Sequence, residues 1–456
     1  MNRYLLTLNF RADGSSQFGP DKRWGYFPSG AVAWIITEEN FMKDYSNIVS
    51  YLKLRGSVGK TGSQNLGAYD WRTLMGSATY NGAAGIVPSS LGNDILQWEE
   101  QIQKEVGLDY GFWDDRIRGT LGYYQKKVDN LLYSDPVPTS SSFSSVYQNI
   151  GSLKNRGIEF DVRVDIIKNV QKDLTWNVDF NIARNRTTLE KLNSSDGYFG
   201  GGAYDYFKIE EGGETGRFYG YKDAGRLFMT NEELVGLKTI DPKTGTLKYY
   251  RDDYNYERQG DVYIMDLDGD GQITADGDRT VIGNANPDFF GGFGSTLYWK
   301  GLMLNAVFSY SVGGDRFWDE EKNSSGDMNV YNTSNRILDS WTVNPGVNAS
   351  YPRAMYYGWG SNSIITDRYI HDASYLRMTA LNLSYRLPKH LYKNSILNAV
   401  EFTFQATNLF TWTKYPGMDP QGNFSTTYSA FYNMGIDYST YPSARTYNFG
   451  IKLTLK

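Results

Sequence analysis

The sequence predicts an all-β chain, an antiparallel transmembrane β-barrel with long extracellular loops. Apolar and polar residues alternate with period two over segments of about ten residues, the length a tilted strand needs to cross a bilayer. The connections alternate between short and long, as they do on the two sides of an outer-membrane barrel. Glycine is 48 of 456 residues and aromatics are 16% of the chain, 37 of them tyrosine. With no cysteine, that composition suits a β chain rich in amphipathic rings, either a carbohydrate-binding or extracellular β domain or an outer-membrane barrel with aromatic girdles at two water interfaces.

The alternation is cleanest at Ile158, Phe160, Val162, Val164 and Ile166, which enclose Glu159, Asp161, Arg163 and Asp165. It continues in Leu174, Trp176, Val178, Phe180 and Ile182, in Leu302, Leu304, Ala306, Phe308 and Tyr310, and in Tyr447, Phe449, Ile451, Leu453 and Leu455. Weaker versions run through 3–12, 28–37, 51–60, 102–112, 116–127, 290–299, 375–387 and 399–410, giving twelve strands. Soluble sandwich strands average about half this length. Full charges on the polar face suit a wet lumen. Phe160, Val162, Phe180, Ile182, Phe308 and Phe449 should therefore face outward, and Glu159, Asp161, Asn177 and Asn305 inward.

Short links follow 102–112, 157–167, 290–299 and 375–387, and long ones follow 51–60, 116–127, 174–184, 302–312 and 399–410. This parity places Tyr51, Trp113, Trp176, Trp299 and Tyr385 at periplasmic strand ends, as a girdle would. Segments 185–289 and 313–374 are too long for structureless loops and should be folded.

Several classes drop out. The longest apolar run, Ala31 to Ile36, is far short of a membrane-spanning helix. Without cysteine there is no disulfide framework or thiolate zinc site. Two histidines, His371 and His390, leave little room for a histidine metal site or a catalytic triad. A net charge of −5 argues against nucleic acid as partner. Lys60-Thr61-Gly62 lacks the first glycine of a phosphate loop, because Leu54 stands there. Acid pairs such as Asp252-Asp253 carry no glycosidase signal in a chain with 51 acids.

The sharpest local motif is Asp266-Leu267-Asp268-Gly269-Asp270-Gly271-Gln272-Ile273, the first eight positions of an EF-hand loop. Asp266, Asp268 and Asp270 would point at one centre, the Gln272 carbonyl would add a ligand, and calcium is the expected ion. The twelfth position is Gly277 instead of glutamate, so Asp276 or Asp278 must complete the site. No flanking helices are evident, so the ion would staple a loop. Trp318, Trp341, Tyr357 and Trp359 are candidate stacking surfaces for a ligand, or else the packing of a loop core.

Arg11-Ala12-Asp13-Gly14-Ser15-Ser16, Phe18-Gly19 and Arg23-Trp24-Gly25-Tyr26-Phe27-Pro28-Ser29 resemble the mid-barrel signature of SusC/RagA-type TonB-dependent transporters of Bacteroidota. So do Leu54 to Gly62, the Asp-rich loop running into Arg279-Thr280-Val281-Ile282-Gly283-Asn284, and Ala373-Ser374-Tyr375-Leu376-Arg377. Asn408 to Tyr415 and Tyr441-Pro442 to Arg445-Thr446 complete a resemblance that spans the chain in order. It implies a 22-stranded outer-membrane barrel with an N-terminal plug, a TonB-contacting segment, and a SusD-like lipoprotein as lid. The implied cargo is an oligosaccharide or a peptide. The chain departs from the pattern in one extra residue before the last acid of the Asp-rich loop and in ending on Lys456, where an aromatic is usual.

Residues 1–456 are therefore expected to be the C-terminal part of such a barrel, without plug and N-terminal region. The expectation is a fragment, or a gene start placed too late, that does not transport by itself. The rival readings are a secreted calcium-bound all-β glycan-binding protein and an extracellular glycosidase on a propeller. The first of these would stay soluble where a barrel partitions with the outer membrane.

Overall fold

The computed structural model describes residues 3–192, 198–200, 206–230, 233, 239–240, 247–248, 259–271, 273–326, 332–343, 345–346, 349–354, 362, 364–393, 396–422 and 434–455. Twelve strands form one antiparallel sheet in chain order. They are β1 (Tyr4–Gly14), β2 (Trp24–Ile35), β3 (Val49–Ser63), β4 (Glu99–Phe112), β5 (Ile117–Asp129) and β6 (Ser152–Asn169). The series continues with β7 (Leu174–Lys191), β8 (Phe289–Trp299), β9 (Leu302–Val312), β10 (Tyr375–Arg386), β11 (Leu397–Thr413) and β12 (Thr446–Leu455). Each expected strand overlaps one of these. The sheet is open, with β1 and β12 at its two ends. It is a single wall, not the two stacked sheets of a soluble sandwich.

Register separates the two faces. Trp176, Leu297, Leu304, Leu383, Phe404 and Phe449 form one row across β7 to β12. The adjacent row, pointing the other way, is Asn177, Thr296, Asn305, Asn382, Gln405 and Asn448. Within it Asn305 Nδ2 donates to Thr296 Oγ1 at 2.9 Å and Asn382 Nδ2 donates to Asn305 Oδ1 at 3.0 Å. Phe160 lies opposite Ile182, and Val162 opposite Phe180, which continues through Phe293 to Phe308. Glu159 and Asp161 lie on the amide face. That face also carries Lys53–Asp109 at 3.0 Å, Arg55–Asp109 at 3.1 Å, Arg55–Glu105, and Arg118–Asp165 at 3.3 Å. Charges at this density cannot face hydrocarbon, so the apolar face meets lipid and the amide face lines the lumen.

Tight turns mark the periplasmic side. Lys300 and Gly301, at φ 46° and 85°, make a two-residue turn between β8 and β9 that needs left-handed backbone. Trp176, Trp299 and Tyr385 lie near this edge on the apolar face, and Trp113 lies in the β4–β5 turn. Tyr51 does not join them, because a bulge beside Val49 sets it opposite Gly111 on the lumen face. A second belt lies at the other edge, formed by residues that the strand parity did not single out: Phe10, Trp24, Tyr26, Phe410 and Trp412 are all exposed there.

Two tyrosines cross a glycine to reach the strand beyond. Tyr110 OH donates to the Asp161 carbonyl at 3.0 Å over Gly119, and Tyr310 OH donates to the Asn181 carbonyl at 2.8 Å over Gly291. A Cβ on Gly119 would sit 2.0 Å from the Asp161 oxygen and 2.7 Å from the Tyr110 hydroxyl, whereas one on Gly122 meets nothing within 4 Å. Gly119→Ala should therefore destabilise the barrel by about 1–3 kcal/mol through overpacking, and Gly122→Ala should be near neutral. Denaturant midpoints in lipid vesicles check this; equal effects at both sites would contradict it.

The long connections co-fold above the wall. Tyr206, Phe207, Phe218 and Ala285 from the β7–β8 connection share a core with Phe317 and Tyr369 from β9–β10 and Ile436 from β11–β12. Asp315–Trp318 pairs antiparallel with Ile370–Asp372 and parallel with Ile436–Asp437. Leu153 and Leu189, on the lumen face of the extended β6 and β7, pack with Ile150, Leu192 and Ile209.

Candidate metal centre

The Asp-rich loop follows Val262–Ile264, a short strand anchored in the apolar core of Leu227, Phe228, Val262, Ile264 and Ile273. Gly269 and Gly271 take φ of 76° and 81°, left-handed values that wind the chain around its own carboxylates. Asp266 accepts from the Gly269 N–H at 2.7 Å and the Gly271 N–H at 2.8 Å. Asp268 accepts from the Asp270 N–H at 3.1 Å. Asp278 is fully buried and accepts from the Leu267 and Thr274 N–H groups, both at 2.7 Å.

Carboxylate oxygens of Asp266, Asp268 and Asp278 lie within 4.8 Å of one another. The extra residue is absorbed by one helical turn, Ala275–Asp278, capped by Thr274 Oγ1 accepting from the Gly277 N–H at 3.0 Å. That turn brings Asp278 inward and leaves Asp276 exposed. A Cβ on Gly277 would lie 2.2 Å from Asp268 Oδ2 and would displace that carboxylate. Asp270 is not among the three converging carboxylates, and Gln272 lies outside the described residues. The Asp270 backbone N–H pulls the Asp268 carboxyl down, but desolvation and the charges of Asp270 and Asp278 outweigh it and raise it above its ordinary value. Hard oxygens grouped around accumulated negative charge suit a hard divalent cation.

The candidate stacking residues fare differently. Trp318 is 9% exposed and is enclosed by the Arg336 guanidinium at 4.5 Å, His371 at 5.9 Å and Tyr415 at 6.1 Å. Trp341 packs on the Phe228–Ile264 core against Gly260, where a Cβ would meet its ring at 2.3 Å. Both rings take part in packing the loops together, Trp318 buried and Trp341 half-buried. Tyr357 and Trp359 lie outside the described residues.

Two buried polar centres were not anticipated. Glu321 accepts from Arg336 Nη1 at 2.6 Å and Tyr351 OH at 3.2 Å, and pairs with His371 Nε2 at 2.5 Å. Arg377 and Asp419 pair at 2.6 Å with side chains 5% and 7% exposed. Their members are far apart in sequence, so spacing carries no signal for them.

The profile of the family described as "TonB dependent receptor-like, beta-barrel" matches residues 1–352. This chain belongs to that family. TonB-dependent receptor P3 of Formosa agariphila is 33% identical over 99% of the chain and 44% of its own length. TonB-dependent receptor SusC of Bacteroides thetaiotaomicron is 32% identical over 99% of the chain and 42% of its own length. The RagAB peptide importer in its closed-closed state superposes with a TM-score of 0.77 at 26% identity, over 99% of this chain and 46% of that one. These relatives make it a SusC/RagA-type TonB-dependent receptor chain of the outer membrane. It spans less than half the length of the relatives it matches.

Proposed function

We propose that this receptor chain forms part of the wall of a TonB-dependent importer of oligosaccharides or peptides, working beneath a SusD-like surface lipoprotein. The observation that carries the reading is the match over 99% of the chain both to SusC and to the RagAB peptide importer. The lumen face supports it, since its amide ladder and paired charges suit a wet interior. No enzymatic role is needed. The test is uptake of labelled oligosaccharides and peptides by a strain lacking the receptor, complemented with the full-length receptor, with and without TonB. One cargo class should enter only with TonB, and uptake indifferent to TonB would contradict the reading.

The loop of Asp266, Asp268 and Asp278 serves, on this reading, as a calcium staple on the extracellular side. Affinity in the range of extracellular modules, about 10⁻⁴–10⁻³ M, suffices there. Asp278→Asn should abolish calcium-dependent heat and terbium luminescence, while Asp276→Asn leaves both. Because protons compete for the carboxylates, affinity should weaken as pH falls toward their titration range. Unchanged binding in Asp278→Asn would remove the site.

A further inference from the structure

The connection between β9 and β10 carries four arginines, Arg316, Arg336, Arg353 and Arg368. Three of them meet a carboxylate: Arg336 meets Glu321 at 2.6 Å, Arg353 meets Asp261 at 2.6 Å and Arg368 meets Asp223 at 2.7 Å. Arg316 is half-buried and makes no ion pair among the described residues. Its Nη1 donates to the carbonyls of Asp315 at 3.1 Å and Ala285 at 3.4 Å. Its Nε is buried without a hydrogen-bond partner. Its Nη2 bonds to nothing among the described residues and keeps contact with solvent.

Register fixes where this guanidinium stands. Asp315–Trp318 is the middle strand of its small sheet, so its side chains alternate between two faces. Phe317 enters the core of Tyr206, Phe218 and Tyr369. Arg316 and Trp318 take the opposite face, with His371 across from Arg316 and Asp437 beside Trp318. Tyr415 and Tyr375 stand close enough for their charge to act on Arg316. Tyr375 begins β10 on its lumen side, two residues from Arg377, so Arg316 stands at the rim of the lumen.

The acids around it are already engaged. Asp437 accepts from Tyr415 OH at 2.8 Å and from the Thr440 N–H at 3.3 Å, and Asp315 accepts from the Asn284 N–H at 2.8 Å. Burial pushes the Arg316 guanidinium below its ordinary value, against the raising fields of Tyr415, Tyr375, Asp437 and Asp315. An arginine nevertheless stays charged at neutral pH. A half-buried cation without a counter-ion is costly to keep. Nε and Nη2 lie on one edge of the guanidinium, the fork that takes both oxygens of a carboxylate. That unengaged edge is complementary to a planar monoanion arriving from outside. On the import reading above, which this presupposes, we infer that Arg316 binds the carboxylate of an acidic cargo, either a uronate of an oligosaccharide or the C-terminal carboxylate of a peptide.

The test is equilibrium binding to the full-length receptor in mild detergent, read by mass spectrometry of the retained ligand. The probes are a pool of oligogalacturonides and a pool of N-acetylated tetrapeptides without acidic side chains, each as free acid and as methyl ester. One pool should bind wild type, its free acid about tenfold to a hundredfold more tightly than its ester, the range for hydrogen bonds to a charged group. In Arg316→Gln the free acid should bind as weakly as the ester, while ester binding stays where it was. Arg316→Lys keeps the charge without the fork and should lie between the two. Because Arg316 neutralises no buried acid, Arg316→Gln should leave the urea midpoint in lipid vesicles in place. Should it fail to fold, Arg316→Lys gives the same readout. Equal binding of acid and ester by wild type, a joint loss of acid and ester binding in the variants, or no binding of either pool would overturn the assignment. TonB-dependent uptake by wild type is measured separately, so a failed import reading shows there and a misplaced carboxylate site shows in the acid-to-ester ratio.

Discussion

Arg377→Ala should be among the most damaging single substitutions in the chain, costing about 3–5 kcal/mol by leaving Asp419 charged, buried and unpaired. Arg377 Nη2 meets Asp419 Oδ1 at 2.6 Å, while Nη1 donates to Gln421 Oε1 at 2.6 Å and Nε to Thr411 Oγ1 at 2.9 Å. Asp419 also accepts from the backbone N–H groups of Gln421 and Ser443 at 2.9 and 3.1 Å. One guanidinium thus ties the last long loop to β10 and β11. Burial pushes the Asp419 carboxyl up, but these hydrogen bonds outweigh it and hold it below the usual carboxylate range. A depressed folded value contributes stability above the unfolded value near 4, which is lost as pH falls through the folded value. The loop should therefore open to protease on acidification in wild type and at neutral pH in Arg377→Ala. Resistance of the variant at neutral pH would contradict the pairing.

The second large effect is expected on the lipid face. Phe308 stacks on Phe293 at 4.6 Å, well inside the apolar band. Phe308→Arg should cost about 2–4 kcal/mol, the penalty for a cation near the bilayer midplane. Asn305→Arg, three residues away on the lumen face, should cost well under that, because water and the neighbouring amides solvate it. Folded fraction against urea in lipid vesicles, read by heat-modifiable gel mobility, separates the two. Comparable losses at both positions would mean that the faces are wrongly assigned.

Why the wall was legible in the sequence follows from the same division. A strand with lipid on one side and water on the other must alternate, so Phe160 to Val164 and Trp176 to Ile182 declare their faces. Legibility stops where the environment changes. β6 and β7 run on to Ser152 and Lys191, beyond the expected 157–167 and 174–184, because above the membrane their lumen face packs on loop residues. There Leu153 and Leu189 turn the apolar side inward, and the alternation inverts. In β10 a register shift between Met378 and Ala380 blurs the pattern and lets Arg377 point into the lumen while Leu381 and Leu383 face lipid.

The candidate site was legible in part. The Asp266–Ile273 motif is local, so its turn could be read from residue types alone. The choice of Asp278 over Asp276 depended on a helical turn that no spacing rule supplies. For Trp318 and Trp341 the sequence left packing and stacking open, because an aromatic in a long loop carries no mark that tells one from the other. Only the tertiary neighbours, Arg336 and His371 for the first and Gly260 for the second, decide it. Glu321 and Asp419 are acids among 51, made distinct by partners 15 or more residues away along the chain, Arg336 and His371 for the first and Arg377 for the second.

The central claim is that one face of this twelve-stranded wall meets lipid and the other meets the lumen. These 456 residues contain no cysteine, so a single cysteine placed in the wall is the one labelled there. Single cysteines at Phe180, Phe308 and Phe449, and at the lumen-facing Asp179, Asn305 and Asn448, can carry a bimane label in the full-length receptor reconstituted with brominated lipids. Fluorescence should be quenched by bromine at the three phenylalanine positions and retained at the three polar ones. Equal quenching at both sets, or quenching at the polar set alone, would contradict the assignment of faces.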